Sequence, residues 1–235
     1  MRAPLVRHRA ATSFTLWLAA LCALARVAGA QGVVSGRLTI AERNGAPTTD
    51  VEQAVVYLEG ATGAAVPPWA PSADLIAMRG REFLPHVRMV AAGGEVGFPN
   101  EDPYSHNVFS NTATAGFDLG LYRRGVTRAA HFARPGVYPI YCNIHHRMVS
   151  FVVAVPSAYA ARPAADGSFT IRGVPAGSYV LHAWHERAGE VAQALVVGPG
   201  EATAVRVALD ARQYAPAPHL NKFGLPDTAT RADRY

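Results

Sequence analysis

Three side chains able to bind a soft metal recur at every third position between residues 142 and 148. A thiol at Cys142, an imidazole at His145 and a thioether at Met148 are each separated by two residues. In an extended strand, residues three apart point to opposite faces, whereas a tight loop can turn all three toward one point. The spacing therefore predicts a curled loop that presents sulfur and nitrogen ligands to a single metal ion.

A further ligand is expected from a distant strand. The segment 98–108 offers His106, which follows a turn and precedes an apolar run. Two imidazoles and one thiolate in a plane, with a weak axial thioether, form the arrangement of an electron-transfer copper site. Zinc accepts the same nitrogen and sulfur ligands, so the donor set alone leaves both metals open. His146 is a poorer candidate ligand than His145, because adjacent residues rarely both face one ion.

Cysteine usage supports a bound sulfur at Cys142. Of the two cysteines, Cys22 lies in a segment expected to be removed on export, which leaves Cys142 without an intramolecular disulfide partner. A lone thiol in an oxidising compartment is reactive unless something occupies its sulfur. A metal ligand, a catalytic nucleophile, an intermolecular disulfide and no role at all are the alternatives, and the neighbouring ligand types favour the metal.

The elements that must position these residues are β-strands. Apolar and polar residues alternate over short runs between positions 31 and 210, and Gly, Pro, Asn and Asp separate the runs. None of these runs has a convincing helical period. The clearest are 33–40, 54–58, 137–141, 151–155 and 179–184. The pattern predicts an all-β chain built from sandwiches, with the ligand loop joining two core strands at one end of a sandwich.

Two loose stretches divide the chain. Residues 61–71 are rich in Ala, Gly and Pro, and residues 156–166 are Ala-rich with little strand pattern, so both are predicted to be linkers. The unit between them has about ninety residues, a size that suits one small β-sandwich.

This central unit, residues 72–157, resembles the cupredoxins, the Greek-key β-sandwich family of plastocyanin and amicyanin. The spacing of Cys142, His145 and Met148 is similar to the short ligand loop of amicyanin. The segments 83–85, 94–96 and 98–102 are similar to the strands that lead to the first ligand. The resemblance implies one type 1 (blue) copper, with His106, Cys142 and His145 as equatorial ligands and Met148 as the axial ligand.

The same resemblance implies roles for three neighbouring residues. Asn107, directly after the first histidine, would hydrogen-bond the cysteine loop. In this family the second histidine reaches the surface in an apolar patch where partners dock. His146 stands where related loops usually carry proline, and with Arg147 it would make the docking patch more polar and basic. Docking of redox partners is therefore expected to weaken with salt and to strengthen when His146 is protonated.

The outer parts of the chain are expected to form a second sandwich. Residues 32–62 and 163–210 resemble a carboxypeptidase regulatory-like, transthyretin-like domain, through Asn44-Gly45, Asp166-Gly167 and the turn Pro175-Ala176-Gly177. The central unit would then be an insertion, and pairing of residues 33–60 with the central unit alone would refute it. Residues 211–235 are polar and contain Pro, so they are predicted to be a surface-lying or disordered tail.

The first thirty residues have the pattern of a signal peptide. Arginines at 2, 7 and 9 precede an apolar run at 14–25, and small residues at 28–30 suit a signal peptidase. The run is shorter than the roughly 20 residues that span a bilayer, so an exported mature chain without a membrane span, periplasmic or extracellular, is expected. Removing this segment takes away four of the 22 basic residues and none of the 17 acidic ones. The remaining chain is nearly neutral, which argues against a nucleic-acid partner.

The residues and their spacing leave three classes of function. The first is a one-electron carrier between redox partners of unknown identity. The second is an enzyme, which is not expected: a copper oxidase or nitrite reductase needs further histidines for a second copper centre, and a cysteine hydrolase needs a base and an oxyanion hole. The third is a copper- or zinc-binding module with a structural, storage or sensing role.

Overall fold

The computed structural model describes residues 31–60, 74–113, 115–216 and 221–225, and over these ranges the chain is built of β-strands joined by turns. Two one-turn 3-10 helices lie at Arg43–Gly45 and Val51–Gln53. The strands, in chain order, are β1 Gly32–Ala41, β2 Val55–Gly60, β3 Asp74–Leu75, β4 Ala77–Arg79, β5 Glu82–Leu84, β6 Val87–Ala91, β7 Gly94–Pro99, β8 His106–Ser110, β9 Phe117–Tyr122, β10 Thr127–Phe132, β11 Gly136–Tyr141, β12 Val149–Val155, β13 Ala160–Ala161, β14 Ser168–Val174, β15 Gly177–His185, β16 Gly189–Val197 and β17 Ala202–Asp210. The all-β prediction is confirmed.

The first and last parts of the chain pair with each other. Strand β1 lies between β14 and β17 in a three-stranded sheet, antiparallel to β14 and parallel to β17. A four-stranded sheet has the order β13-β2-β15-β16. In β14 the exposed Ser168 and Thr170 alternate with the buried Phe169 and Ile171, so the strand has one face in a core and one in water. These two sheets form the outer sandwich.

The turn before β14 shows why glycine is needed there. Gly167 has a φ of 81°, in the left-handed region, and a Cβ atom at this position would lie 2.2 Å from the carbonyl oxygen of Leu38. Its own carbonyl accepts a hydrogen bond of 2.8 Å from the backbone N–H of Leu38. Only glycine tolerates both the conformation and this close approach, as expected for an Asp-Gly turn.

The middle of the chain forms its own sheets. A five-stranded sheet has the order β6-β12-β11-β8-β9, a three-stranded sheet has the order β10-β7-β3, and β4 and β5 form a small hairpin. Strands β11 and β12 are antiparallel from Gly136↔Ala154 to Tyr141↔Val149. Beside them, Tyr141 pairs with Phe109 of β8. The start of β8 and the loop between β11 and β12 therefore lie at the same end of this central sandwich.

Each sandwich has its own buried core, and a third, smaller cluster joins them. The core of the central sandwich contains Phe98, Ile140 and Cys142, and that of the outer sandwich contains Leu38 and Leu181. The joining cluster consists of Val55, Val87, Val153, Val155 and Trp184. Alternation along β15 puts Trp184 in this joining cluster and the buried His185 on the opposite side of the strand.

The stretch at 156–166, expected to be a loose linker, packs against the outer sandwich. The Ser157 hydroxyl donates to the carbonyl of Leu58 at 2.8 Å, and the N–H of Leu58 donates to the carbonyl of Tyr159 at 2.8 Å. Tyr159 is buried in the outer core. The segment has little strand pattern because only two of its residues, Ala160 and Ala161, form a strand. This strand, β13, is enough to pair the segment with β2.

Several predicted features fall outside the described ranges. The predicted signal peptide at residues 1–30 and the predicted linker at 61–71 are not among the described residues. Over the ranges that the structure describes, no helix is long and apolar enough to cross a membrane.

Candidate metal centre

The loop from Cys142 to Met148 is folded back on itself by its own backbone. The N–H of Met148 donates to the carbonyl of His145 at 2.9 Å, and the N–H of Cys142 donates to the carbonyl of Met148 at 3.3 Å. These two bonds close a tight turn between the end of β11 and the start of β12. Residues three apart can therefore face the same side, which an extended strand would forbid.

Three potential ligand atoms converge under this loop. The Nδ1 atoms of His106 and His145 are 3.2 Å apart, and the sulfur of Cys142 lies 3.8 Å from the first and 3.7 Å from the second. A point in the plane of the three atoms is about 2.1 Å from each, close to metal–nitrogen and metal–sulfur distances of about 2.0 to 2.3 Å. The three side chains thus surround a position of the size that a metal ion needs.

The group is buried. His106 and Cys142 have no exposed surface, and His145 is 8% exposed. Burial raises the pKa of the Cys142 thiol, while backbone N–H groups of Ile144, Asn107 and His145 donate to its sulfur and favour the thiolate. Because these donors come from both the loop and β8, the sulfur is placed where both segments already supply positive dipoles.

Asp102 fixes the ring of His106. Its Oδ2 atom lies 2.9 Å from Nε2 of His106, so the carboxylate accepts from this nitrogen and leaves Nδ1 free to face the sulfur of Cys142. The carboxylate also accepts the backbone N–H of Gly80 at 2.6 Å and of Arg81 at 2.8 Å. Burial opposes its ionisation, but these bonds and His106 together lower the pKa of Asp102 below its usual range. A carboxylate behind a ligand histidine is the usual way that proteins orient the ring.

The same carboxylate holds an unusual backbone conformation. Arg81 has a φ of 61°, a value uncommon for a residue other than glycine. Its N–H and that of Gly80 both point into Asp102, which compensates the conformation. The turn between β4 and β5 is therefore tied to the His106 end of β8.

The predicted ligand Met148 lies in the same core as Cys142. It is 1% exposed and belongs to the core cluster that contains Cys142 and Ile140. Its backbone is hydrogen-bonded to both of the other predicted ligands in the loop, through its N–H to the carbonyl of His145 and through its carbonyl to the N–H of Cys142. His106, Cys142 and His145 converge as described, and Met148 is placed directly beside them in the loop.

Asn107 contacts the cysteine loop through its backbone, not its side chain. Its N–H is one of the donors to the sulfur of Cys142. The side-chain amide donates instead to Oδ1 of Asp118 on β9, at 2.6 Å. The side-chain carbonyl oxygen is buried without a hydrogen-bond partner among the described residues.

The predicted docking residues lie at the edge of the site. Arg147 is exposed and His146 is half-buried. A groove beside them is lined by Gly80, Arg81, Glu82, His145 and Arg147. Of the three converging side chains, His145 is thus the one that lines this groove, together with Arg81, Arg147 and Glu82.

The other histidines do not form a comparable group. His86 pairs with Glu186 at 2.5 Å, and His182 pairs with Glu59 and Glu190 on the outer sandwich. Across the described ranges, His106, Cys142 and His145 form the only group of three or more His, Cys, Asp or Glu side chains whose ligand atoms converge.

Reasoning from the sequence missed Asp102. The residue lies four positions before His106, between Asn100 and Pro103, in the turn that precedes β8. An acidic residue in such a turn is more often a turn former than a partner of a ligand. The available signal was its short separation from a predicted ligand histidine, which commonly bonds a carboxylate through its second nitrogen.

Comparison with known proteins gives likenesses to solved structures only. No protein-family model matches the chain, and no curated protein matches it. An amicyanin mutant in its reduced form is 20% identical over 37% of this chain and 86% of that chain, with a TM-score of 0.34. A purple cupredoxin from Nitrosopumilus maritimus is 21% identical over 35% of this chain and 99% of that chain, with a TM-score of 0.32. At these TM-scores the likenesses carry no argument about the site, which rests on the geometry above.

Proposed function

We propose that this chain is an exported type 1 copper protein that carries single electrons between redox partners. His106, Cys142 and His145 would hold the copper, and Met148 would be the fourth ligand. The observation that carries the proposal is the buried triangle of two imidazole nitrogens and one sulfur with sides of 3.2, 3.7 and 3.8 Å. This donor set and shape are those of electron-transfer copper sites.

The surrounding residues suit electron transfer because they hold the ligands in place. The two backbone bonds inside the loop fix His145 and Met148 relative to Cys142. Asp102 fixes the ring of His106, and three backbone N–H groups stabilise the sulfur as a thiolate. When bound, copper would supply a one-electron couple. A ligand set that is fixed before binding and shielded from water keeps structural change small when the charge of the site changes.

The proposal includes no catalysis at this site. Two of the proposed ligand side chains have no exposed surface and the third is 8% exposed, which favours a closed site over one that admits a substrate. Catalytic metal sites usually keep one coordination position open to water or substrate.

A redox partner would approach through the groove at His145. Arg81 and Arg147 outnumber the single acidic residue Glu82 in the lining of this groove, so an acidic partner surface is favoured. The rate of association would then fall with ionic strength, since exposed charges are screened over about 10 Å at 0.1 M salt.

Copper loading followed by visible spectroscopy tests the proposal. The mature chain with one equivalent of Cu²⁺ should show an intense sulfur-to-copper charge-transfer band and a reversible one-electron titration. Cys142→Ser should lose the band, while His131→Gln, which changes an exposed histidine bonded to the carbonyl of Gly93, should keep it. A colourless copper complex, or preferential zinc binding without a redox titration, would support the structural, storage or sensing role instead.

A further inference from the structure

A short segment near the end of the chain is folded onto the central sandwich. Residues 221–225 form a closed turn in which the side-chain oxygen of Asn221 accepts the N–H of Phe223 at 3.0 Å and of Leu225 at 3.1 Å. The side-chain amide of Asn111, the residue directly after β8, donates to the carbonyl of Asn221 at 3.0 Å. This bond attaches the turn to the central sandwich. We call residues 221–225 the C-terminal turn.

Lys222 of this turn contacts two residues that lie next to the candidate site. Its backbone N–H donates to the side-chain oxygen of Asn143 at 3.0 Å, and its ammonium group lies 2.8 Å from Oδ2 of Asp118. The other oxygen of Asp118 accepts the side-chain amide of Asn107 at 2.6 Å. Burial opposes ionisation of Asp118, but the bonds from Lys222, Gly120 and Asn107 lower its pKa below the usual range. A charged carboxylate therefore connects Lys222 to Asn107.

The two ends of this network are adjacent to proposed ligands. Asn143 follows Cys142 on the loop, and Asn107 follows His106 on β8. The backbone N–H of Asn107 also donates to the sulfur of Cys142. Lys222 thus connects the loop that carries the sulfur with the strand that carries the first imidazole, from outside the sandwich.

We infer that Lys222 is a positioning residue of the metal centre, which holds the Cys142 loop and the His106 strand at their present separation. This inference rests on the proposed function, because a fixed separation of the two segments keeps the three proposed ligand atoms at the distances that metal binding needs. The C-terminal turn would then belong to the site although its position in the sequence gives no such indication.

The size of the effect follows from the exposure of the ion pair. The side chains of Lys222 and Asp118 are 31% and 37% exposed, so water screens their attraction. Breaking a partly exposed ion pair of this kind changes the equilibrium constant for local opening by about two- to fivefold. This is a small fraction of the free energy of folding of a domain. Loss of Lys222 should therefore loosen the two segments without unfolding the sandwich.

Hydrogen exchange of the metal-free full chain tests the inference independently of copper. In Lys222→Met, exchange of the backbone amides of Asn107 and Ile144 should rise about threefold, because both amides donate to the sulfur of Cys142 and report local opening. Lys222→Arg should restore protection. Arg212→Met, which removes an exposed ion pair with Asp210 on the outer sandwich, is the matched loss of one charge and should leave both amides unchanged.

A double-mutant cycle separates positioning from general stabilisation. If Lys222 acts through Asp118, the variant Lys222→Met with Asp118→Asn should exchange no faster at Asn107 than Asp118→Asn alone. Unchanged exchange in Lys222→Met, or an equal rise at Leu181 in the outer core, would overturn the inference. In copper-loaded protein, release of copper to a chelator should rise by a similar factor. A protein that binds no copper but shows the exchange effect would refute the proposed function and keep the positioning role of Lys222.

Discussion

The imidazole of His106 lies between a carboxylate and a thiol, with Nε2 2.9 Å from Oδ2 of Asp102 and Nδ1 3.8 Å from the sulfur of Cys142. The carboxylate therefore decides which nitrogen of the ring carries the proton, and it directs the other nitrogen to the candidate metal position. Because Asp102 also accepts two backbone N–H groups, its own position is fixed by the turn at Gly80 and Arg81.

Replacing this carboxylate should weaken metal binding. In Asp102→Asn the side chain keeps one acceptor but loses its charge, so His106 is no longer fixed in one tautomer. Loss of such a partner typically costs about 10- to 100-fold in metal affinity, and a Cu²⁺ titration against a competing chelator measures it. Glu101→Gln, which changes an exposed partner of Arg79, is the control. Equal affinities in the two variants would show that Asp102 does not orient the ligand.

The outer sandwich should depend on one arginine. Arg187 is bound by Glu42 at 2.6 Å and Asp50 at 2.5 Å, and the two carboxylates raise its pKa. Arg187→Met leaves both acids facing each other in a largely buried position, so we expect a loss of about 2 to 3 kcal/mol in the free energy of unfolding. Urea denaturation of the metal-free protein provides the measurement.

The matched control for Arg187 is an exposed pair on the same sandwich. Arg37 pairs with Asp166 at 3.1 Å, and both side chains are more than half exposed. Arg37→Met should leave the free energy of unfolding almost unchanged, because water screens an exposed pair. A similar loss in both variants would mean that burial of the Glu42, Asp50 and Arg187 cluster adds nothing.

Trp184 should stabilise the contact between the two sandwiches. It is 6% exposed and its ring lies 5.4 Å from that of Phe151, measured between centroids. Trp184→Ala removes the largest side chain of the joining cluster, and a loss of about 3 to 5 kcal/mol is expected from truncation of a buried aromatic residue. Two separate thermal transitions in the variant would show that the sandwiches then unfold independently. An unchanged melting curve would contradict the assigned packing role.

The pair of His86 and Glu186 should make stability depend on pH. The hydrogen bond to Glu186 raises the pKa of His86 above 6.5, against the opposing effect of burial. A raised folded-state pKa means that the pair adds stability below the ordinary value and that this stability is lost as the pH rises through the raised one. His86→Gln should therefore destabilise the metal-free protein more at about pH 6 than at about pH 9.

The expected difference for His86→Gln is modest. The side chains are 34% and 25% exposed, so screening by water limits the pH-dependent part to about 0.5 to 1 kcal/mol. Chemical denaturation of both proteins at the two pH values measures it, because other titrating groups are common to both. A difference of the opposite sign would mean that the histidine is neutral when paired.

The sequence predicted the candidate site best where residues of metal-binding type lie close together in the chain. Cys142, His145 and Met148 lie within seven residues, so their common loop follows from residue type and period alone. His106 could be assigned to the same site only because it is the single histidine of the segment 98–108, where it follows a turn and precedes an apolar strand. The alternation that predicted β1 and β15 is equally local, since every second side chain along most of each strand is buried in the outer core.

The parts that escaped prediction depend on contacts between distant positions. Asp118 and Lys222 are separated by more than one hundred residues, and neither has an unusual sequence environment. Arg187 meets Glu42 and Asp50 only because β1 and β15 belong to the same sandwich. Such pairs are fixed by the topology of the sheets, whereas local patterns report only on the strand that contains them.

The pairing of β13 with β2 has a consequence for the construction of the molecule. Ala160 lies opposite Tyr57 and Ala161 opposite Val56, so the strand before the central sandwich and the strand after it are direct neighbours. Entry and exit are thus close together, and a short hairpin turn is long enough to connect β2 directly to β13. Grafting the segment between these two strands onto another hairpin would therefore transfer His106, Cys142, His145 and Met148 together, whereas the positioning residue Lys222 would stay behind.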